Sequence, residues 1–511
     1  MKQKIMIWCL SLVVCHGLTA KELSRPNILF ALADDWSYPH AGAYGCGWVK
    51  TPTFDRIAKQ GLLFTQAYTP TAKCAPSRCA ILTGRNPWQL GAAANHISYF
   101  PEDVKSYAEV LEGPYFVGMV MKGCSPVVAI DKDGKHREMA GKPFNKRKIT
   151  SPTPDVSSND YAGNFSDFLD ATPTNKPFCF WYGSVEPHRG YAYGSGVKLG
   201  GKKLTDIDRV PKYWPDNEII RNDLLDYAFE VEHFDSQLGK MIAELEKRGL
   251  LENTIVVVTG DNGMPFPRSK GNTYHVSNHL PLAVMWPAGI KNPGRTIKDF
   301  ISFIDLAPTF MDLAGLDAQT AGMKPFEGRS FRDILSDKPM VVRDSVIIGR
   351  ERNDVGRPHD EGYPTRGIVK AGWMYLHNFE PTRWPACNPI SGYLDCDGSP
   401  TKTEILKLRP AALWMLSFGM RPADELYNLE NDPDCLSNLA ESPDHRARKE
   451  ALHEELFAAL KKQEDPRVLG RGAEIDAYPH ANKGSRGYYE KIKEGKRPLA
   501  NWINPSDVQE D

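Results

Sequence analysis

Side chains able to do chemistry recur along this 511-residue chain at the ends of apolar runs. Asp34-Asp35 closes the run Asn27-Ile-Leu-Phe-Ala-Leu-Ala33, and Asp261-Asn262 closes Thr254-Ile-Val-Val-Val-Thr259-Gly260. A lone pair of aspartates usually marks a solvated turn. Carboxylate and amide oxygens repeated at two strand ends instead suit a hard cation, Ca²⁺ or Mg²⁺, and offer no soft ligand for zinc. Cys74-Ala75-Pro76-Ser77-Arg78 adds a nucleophile type, with an arginine one helical turn further on. If a helix starts at Cys74, the two face one pocket.

These groups need a scaffold that gathers them. The runs 27–33 and 254–259 are short, continuous and apolar, the pattern of strands buried on both faces, and Phe178–Gly183 is a third. A long helical pattern, Asp223 to Lys247, lies between the last two. Strands alternating with helices predict an α/β domain with a mostly parallel sheet. In such sheets ligands bind outside the carboxyl ends of the strands, so groups far apart in sequence can meet at one edge. His188, in Glu186-Pro187-His188-Arg189, also follows an apolar run.

Composition sets the bounds. Length favours a large domain with a smaller one. Net charge is −1, with 41% hydrophobic and 25% charged residues, so nothing global points to nucleic acid or a membrane surface. Local basic residues must hold any anionic ligand. Lys2 and Lys4, the apolar stretch Ile5–Cys15 and Leu18-Thr19-Ala20 read as a signal peptide over residues 1–20, predicting a secreted or periplasmic protein. Val14 before Cys15 is bulkier than a lipid-anchoring signal carries, and no later segment is long and apolar enough to span a bilayer. Eight cysteines lie beyond the leader, of which Cys387 and Cys396 are close enough to pair. The catalytic domain is expected over 21–375, a smaller α+β domain over 376–465, and a polar, irregular tail over 466–511.

The Cys74 motif, continued by Cys79-Ala80-Ile81-Leu82-Thr83-Gly84-Arg85, resembles the signature of the type I, formylglycine-dependent sulfatases. Arg25-Pro26-Asn27-Ile28 before Asp34-Asp35, and Asp261-Asn262-Gly263, resemble that family's two metal-binding segments. The likeness covers about residues 24–465. It implies an alkaline-phosphatase-like α/β fold and one Ca²⁺ held by Asp34, Asp35, Asp261, Asn262 and residue 74. It also implies a formylglycine (3-oxoalanine) made from Cys74 by a formylglycine-generating enzyme. In the implied mechanism one hydroxyl of the aldehyde hydrate attacks sulfur, and deprotonation of the other expels sulfate. Lys122, His188 and Lys270 fit the family's sulfate-binding and leaving-group positions, with Arg78 beside the nucleophile. Any one lysine alone would read as a surface residue; the joint order of motifs reads otherwise. Two departures stand out: Met121 where the family commonly has glycine, and Cys124 where many members have a second histidine.

Asp261-Asn262-Gly263-Met264-Pro265-Phe266-Pro267 is similar to the corresponding turn of heparan N-sulfatase-like members, which implies a sulfated polysaccharide fragment as substrate. Arg350, Glu351, Arg352, His359, Tyr363 and Arg366 form a polar and aromatic group whose planes and charges suit a sulfated sugar. Arg350, Glu351, His359 and Arg366 are the candidate substrate contacts. A solvated loop is the bland reading of each. Two other functions stay open: a formylglycine-dependent phosphonate or phosphodiester hydrolase, and a non-catalytic sulfated-glycan-binding relative.

Overall fold

The computed structural model describes residues 25–496, 498 and 500–510, so the expected leader lies outside the described residues. Its first ten strands are β1 (Asn27–Ala33), β2 (Leu62–Phe64), β3 (Ala67–Tyr68), β4 (Phe116–Met121), β5 (Lys142–Pro143), β6 (Phe178–Gly183), β7 (Thr254–Gly260), β8 (Leu282–Met285), β9 (Arg295–Ile297) and β10 (Ile301–Ser302). Four more follow: β11 (Ser345–Arg350), β12 (Thr365–Lys370), β13 (Trp373–Asn378) and β14 (Asp424–Asn428).

Eight of these form one sheet in the order β5-β4-β6-β1-β7-β8-β2-β9. Its centre, β4-β6-β1-β7, is parallel, and β8 runs antiparallel to its neighbours. β1 and β7 are almost wholly buried because helices cover both faces, which explains their unbroken apolar sequences. One core layer packs Ile28, Phe30 and Leu32 against the Cys74–Thr83 and Leu306–Leu313 helices. The other packs Leu29 and Ala31 against the 30-residue helix Glu218–Lys247.

Register brings the strand ends level. Ala33 lies opposite Gly260, Leu32 opposite Gly183, and Met121 opposite Gly183. The segments that follow, starting at Asp34, Lys122, Ser184 and Asp261, therefore leave from one edge. Gly183 permits the close approach, since a Cβ there would lie 1.9 Å from the Lys122 carbonyl oxygen. Met121 has φ +60°, a left-handed backbone that explains glycine's usual place there in the family.

The smaller unit is the antiparallel sheet β11-β12-β13-β14, with the helix Arg446–Lys462 across it. The division expected at residue 375 falls inside β13. Composition shifts only in the loop after β13, whereas pairing already starts at Ser345. The expected irregular tail also needs correction. It forms helices at Gly472–Asp476 and Tyr488–Lys493, and buries Arg467, Ile475, His480 and Asp507. Its charges are paired rather than solvating: Arg467 meets Glu351 and Asp476 at 2.7 Å each, and Asp507 meets Lys402 at 3.1 Å. Cys387 and Cys396 are both free thiols, and Cys387 instead bonds to the Asp395 carboxylate at 3.3 Å.

Candidate active site

Cys74 opens the helix Cys74–Thr83, with Lys73 as its N-cap and Gly84 closing it at φ +66°. Every residue of that helix is buried. Arg78, one turn on, donates through Nε to Asp261 Oδ2 at 2.6 Å and through Nη1 to the Lys122 carbonyl at 2.8 Å. Ser77 Oγ donates to the Asp261 carbonyl at 2.6 Å. The Cys-x-Pro-Ser-Arg segment is thus bolted to the end of β7 by its own polar residues.

Asp34, Asp35 and Asp261 bring carboxylate oxygens within 4.8 Å of one another, all buried. Asn262 Nδ2 donates to Asp35 Oδ1 at 2.6 Å, leaving Asn262 Oδ1 buried without a hydrogen bond; Asp34 Oδ1 likewise accepts none, with Arg78 Nη2 3.6 Å away. Buried acceptors lacking donors are costly unless a cation meets them. The donor set therefore fits a hard divalent ion.

Cations ring the acids. Lys122 Nζ lies 2.5 Å from Asp34 Oδ2, and Lys270 Nζ lies 2.7 Å from Asp35 Oδ2. Gly271 N donates to the Ala72 carbonyl at 2.7 Å, which ties the Lys270 turn to the Cys74 segment. Burial alone would raise Asp34, but Lys122 and Arg78 outweigh it and hold its carboxyl well below the usual range. Burial pushes Asp261 up to about 7 against the pull of Arg78. Burial likewise raises the Cys74 thiol, opposed by Lys122. An unmodified Cys74 is therefore a protonated, weak nucleophile at neutral pH.

His96, which carries no motif, reaches Cys74: its Nε2 lies 3.4 Å from Cys74 Sγ. Burial, then Lys73 and Lys270, keep His96 well below its ordinary value, so the ring is neutral. Its Nδ1 faces Asp354 Oδ2 at 3.9 Å, and Lys73 pairs with the same oxygen at 3.6 Å. Cys124 packs instead in the core against Cys79. Asp397, also unforeseen, bonds Lys270 at 3.1 Å and clusters with Asp35 and His188. His188 Nδ1 donates to the Arg189 carbonyl at 2.6 Å, which fixes the orientation of the ring. No motif marks His96, Asp354 or Asp397. Each sits on a loop whose position depends on the tertiary fold.

The candidate substrate contacts fare differently. Arg366 is fully buried, 2.6 Å from Asp465 and 2.7 Å from Glu351, with its guanidinium over Trp88. Glu351 also holds Arg467. Arg350 donates to the Gly271 and Pro385 carbonyls and stacks on Tyr363. These three are buried, and each is held by protein partners. His359 is exposed and faces Glu490 at 3.8 Å. Arg366→Ala should therefore lower stability by about 3 kcal/mol in denaturant unfolding, because it leaves the buried Asp465 carboxylate without its ionic partner while Glu351 keeps Arg467. KM of the folded enzyme should stay unchanged; a raised KM at unchanged stability would restore the substrate role.

An acid cluster able to hold a cation lies beside a buried cysteine on the carboxyl edge of a parallel sheet, an arrangement that suits hydrolysis of an anionic ester. Residues 26–316 match the sulfatase family profile. An ulvan-active sulfatase of Formosa agariphila is 30% identical over 473 residues, covering 91% of this chain and 85% of that protein. Human N-sulphoglucosamine sulphohydrolase is 27% identical over 498 residues, covering 90% and 94%. A structure solved with its substrate D-glucosamine-2-N,6-O-disulfate superposes with TM-score 0.61 at 18% identity, covering 86% of this chain and 99% of that one. The chain belongs to the sulfatase family, and its fold is alkaline-phosphatase-like. It is a sulfuric ester or sulfamate hydrolase.

Proposed function

We propose that the protein is an exported, calcium-dependent sulfatase that removes sulfate from a sulfated oligo- or polysaccharide, with a formylglycine made from Cys74 as nucleophile. The observation that carries this reading is the position of Cys74. It begins a buried helix, beside a neutral histidine, with its thiol in the field of Lys122, Asp34, Lys270 and Asp261. The relatives' substrates, ulvan and N-sulphoglucosamine, support a sulfated sugar. No described helix is long and apolar enough to cross a membrane. The basic and apolar N-terminal pattern supports export, which would bring a formylglycine-generating enzyme in as maturation partner.

Asp34, Asp35, Asp261 and Asn262 would hold the ion, which supplies positive charge beside the nucleophile and the sulfuryl oxygens. An aldehyde at residue 74 supplies, once hydrated, a hydroxyl to attack sulfur and a second to expel sulfate. The chain's own groups do the rest. Arg78 orients Asp261 and anchors the Lys122 carbonyl. Lys122 and Lys270 place two ammonium groups where sulfuryl charge must be stabilised. His96 Nε2 is placed to take the proton from the residue-74 hydroxyl, the task left unassigned by cysteine at position 124. His188, held through Nδ1, presents Nε2 to the leaving oxygen or nitrogen, where a proton carried on that atom would pass to the leaving group.

Sulfate release from heparin, chondroitin and algal oligosaccharides, by wild type and His96→Ala, tests both substrate class and base. Wild type should release sulfate from at least one of them. His96→Ala should lower kcat by about 10²–10⁴-fold with little change in KM. No release from any carbohydrate alongside fast phosphonate or phosphodiester hydrolysis would overturn the substrate class. An unchanged kcat would remove His96 from the mechanism.

A further inference from the structure

A second group of metal-ligating side chains lies on the small sheet, under the helix Arg446–Lys462. His377 on β13 and Asp424 on β14 are register partners, so their side chains share one face of the sheet. Tyr375, two residues before His377, points to that face as well. His453 comes from the helix above, and its ring stacks on Phe457 at 4.1 Å with 24° between planes, which fixes its aim. His377 Nδ1 lies 2.9 Å from Asp424 Oδ1. The Tyr375 hydroxyl lies 2.6 Å from the same oxygen and 2.9 Å from His453 Nδ1. One donor atom from each of His377, Asp424 and His453 falls within 4.8 Å of the others.

We propose that His377, Asp424 and His453 form a binding site for a first-row transition-metal ion, Zn²⁺ foremost, that clamps the helix Arg446–Lys462 to the small sheet. Two imidazoles and one carboxylate are a donor set for Zn²⁺. The set Asp34, Asp35, Asp261 and Asn262, by contrast, offers only hard oxygens and suits a different ion. Three ligands from three elements give the ion a structural task, because binding requires helix and sheet together.

The surroundings agree. A cleft of about 120 Å³ lined by Tyr375, Asp424, Lys449, Glu450, His453 and Glu454 opens beside the cluster. It leaves space for a water or for Glu450 or Glu454 in the fourth position. Lys449, the competing cation at the rim, lies 3.7 Å from Glu441. Tyr375 touches both Asp424 and His453 and is placed to orient them as ligands.

Tag-free, full-length, calcium-loaded protein titrated with Zn²⁺ by calorimetry, and with Co²⁺ by visible spectroscopy, tests the site. Wild type should take up one equivalent of Zn²⁺ and show the ligand-field bands of a nitrogen-ligated Co²⁺. His377→Ala and His453→Ala should each weaken Zn²⁺ by at least about tenfold and abolish the bands. Turnover of an aryl sulfate in calcium should be the same in both variants. His453→Gln, which keeps the bulk over Phe457, serves if His453→Ala fails to fold. Absence of saturable Zn²⁺ binding, or binding that survives both His377 and His453 substitutions, would overturn the proposal.

Discussion

Cys74→Ala should lose sulfate release by at least about 10⁴-fold while folding normally. Removing the covalent nucleophile leaves only positioning and charge stabilisation, and losses of this size or larger follow such deletions. The fold should tolerate the change because the side chain contributes little to it. Its Sγ has a 3.4 Å contact to His96, whereas the helix is anchored by Ser77 and Arg78 on Asp261. Calorimetry should show an unfolding midpoint within a few degrees of wild type. Cys74→Ser is the sharper variant. It keeps a hydroxyl at the attacking position but lacks the second one, so it should trap a sulfate ester rather than turn over. Turnover equal to wild type in either variant would remove Cys74 as nucleophile.

Chelation of the divalent ion should cost about 10³-fold or more in kcat/KM, and added Ca²⁺ should restore it. Three carboxylates converge within 4.8 Å, and neither Asp34 Oδ1 nor Asn262 Oδ1 accepts a hydrogen bond. Lys122 and Lys270 neutralise part of this charge, but in the proposed mechanism they are also the groups that meet the sulfate. An ion that binds only the folded chain must stabilise it, by about 2.7 kcal/mol at a hundredfold excess over Kd. Calcium should therefore raise the unfolding midpoint of wild type, and Asp261→Asn should shrink that rise together with activity. Full activity after exhaustive chelation would contradict the assignment of the acid cluster.

How much of this was legible beforehand depends on where each residue sits. Asp34, Asp35, Asp261 and Asn262 could be read because they follow β1 and β7 directly, and parallel register puts those ends level. Arg78 could be read because one helical turn separates it from Cys74. His96, Asp354 and Asp397 could not, since their loops are placed by packing between distant elements. His96 N, for example, bonds to the Arg352 carbonyl at 2.9 Å across more than 250 residues. Arg350, Glu351 and Arg366 misled for the opposite reason. Clustered charges look like a binding surface, yet here they neutralise one another in the seam with the C-terminal segment. Residues after 465 misled likewise, because Arg467 and Asp507 have partners only in the folded chain.

Peptide mass spectrometry of active protein from a host able to mature it tests the central claim most directly. The peptide spanning Cys74-Ala75-Pro76-Ser77-Arg78 should carry an aldehyde, with –CH₂SH replaced by –CHO, in proportion to specific activity across preparations. A fully active preparation with only an intact thiol at residue 74 would contradict the account.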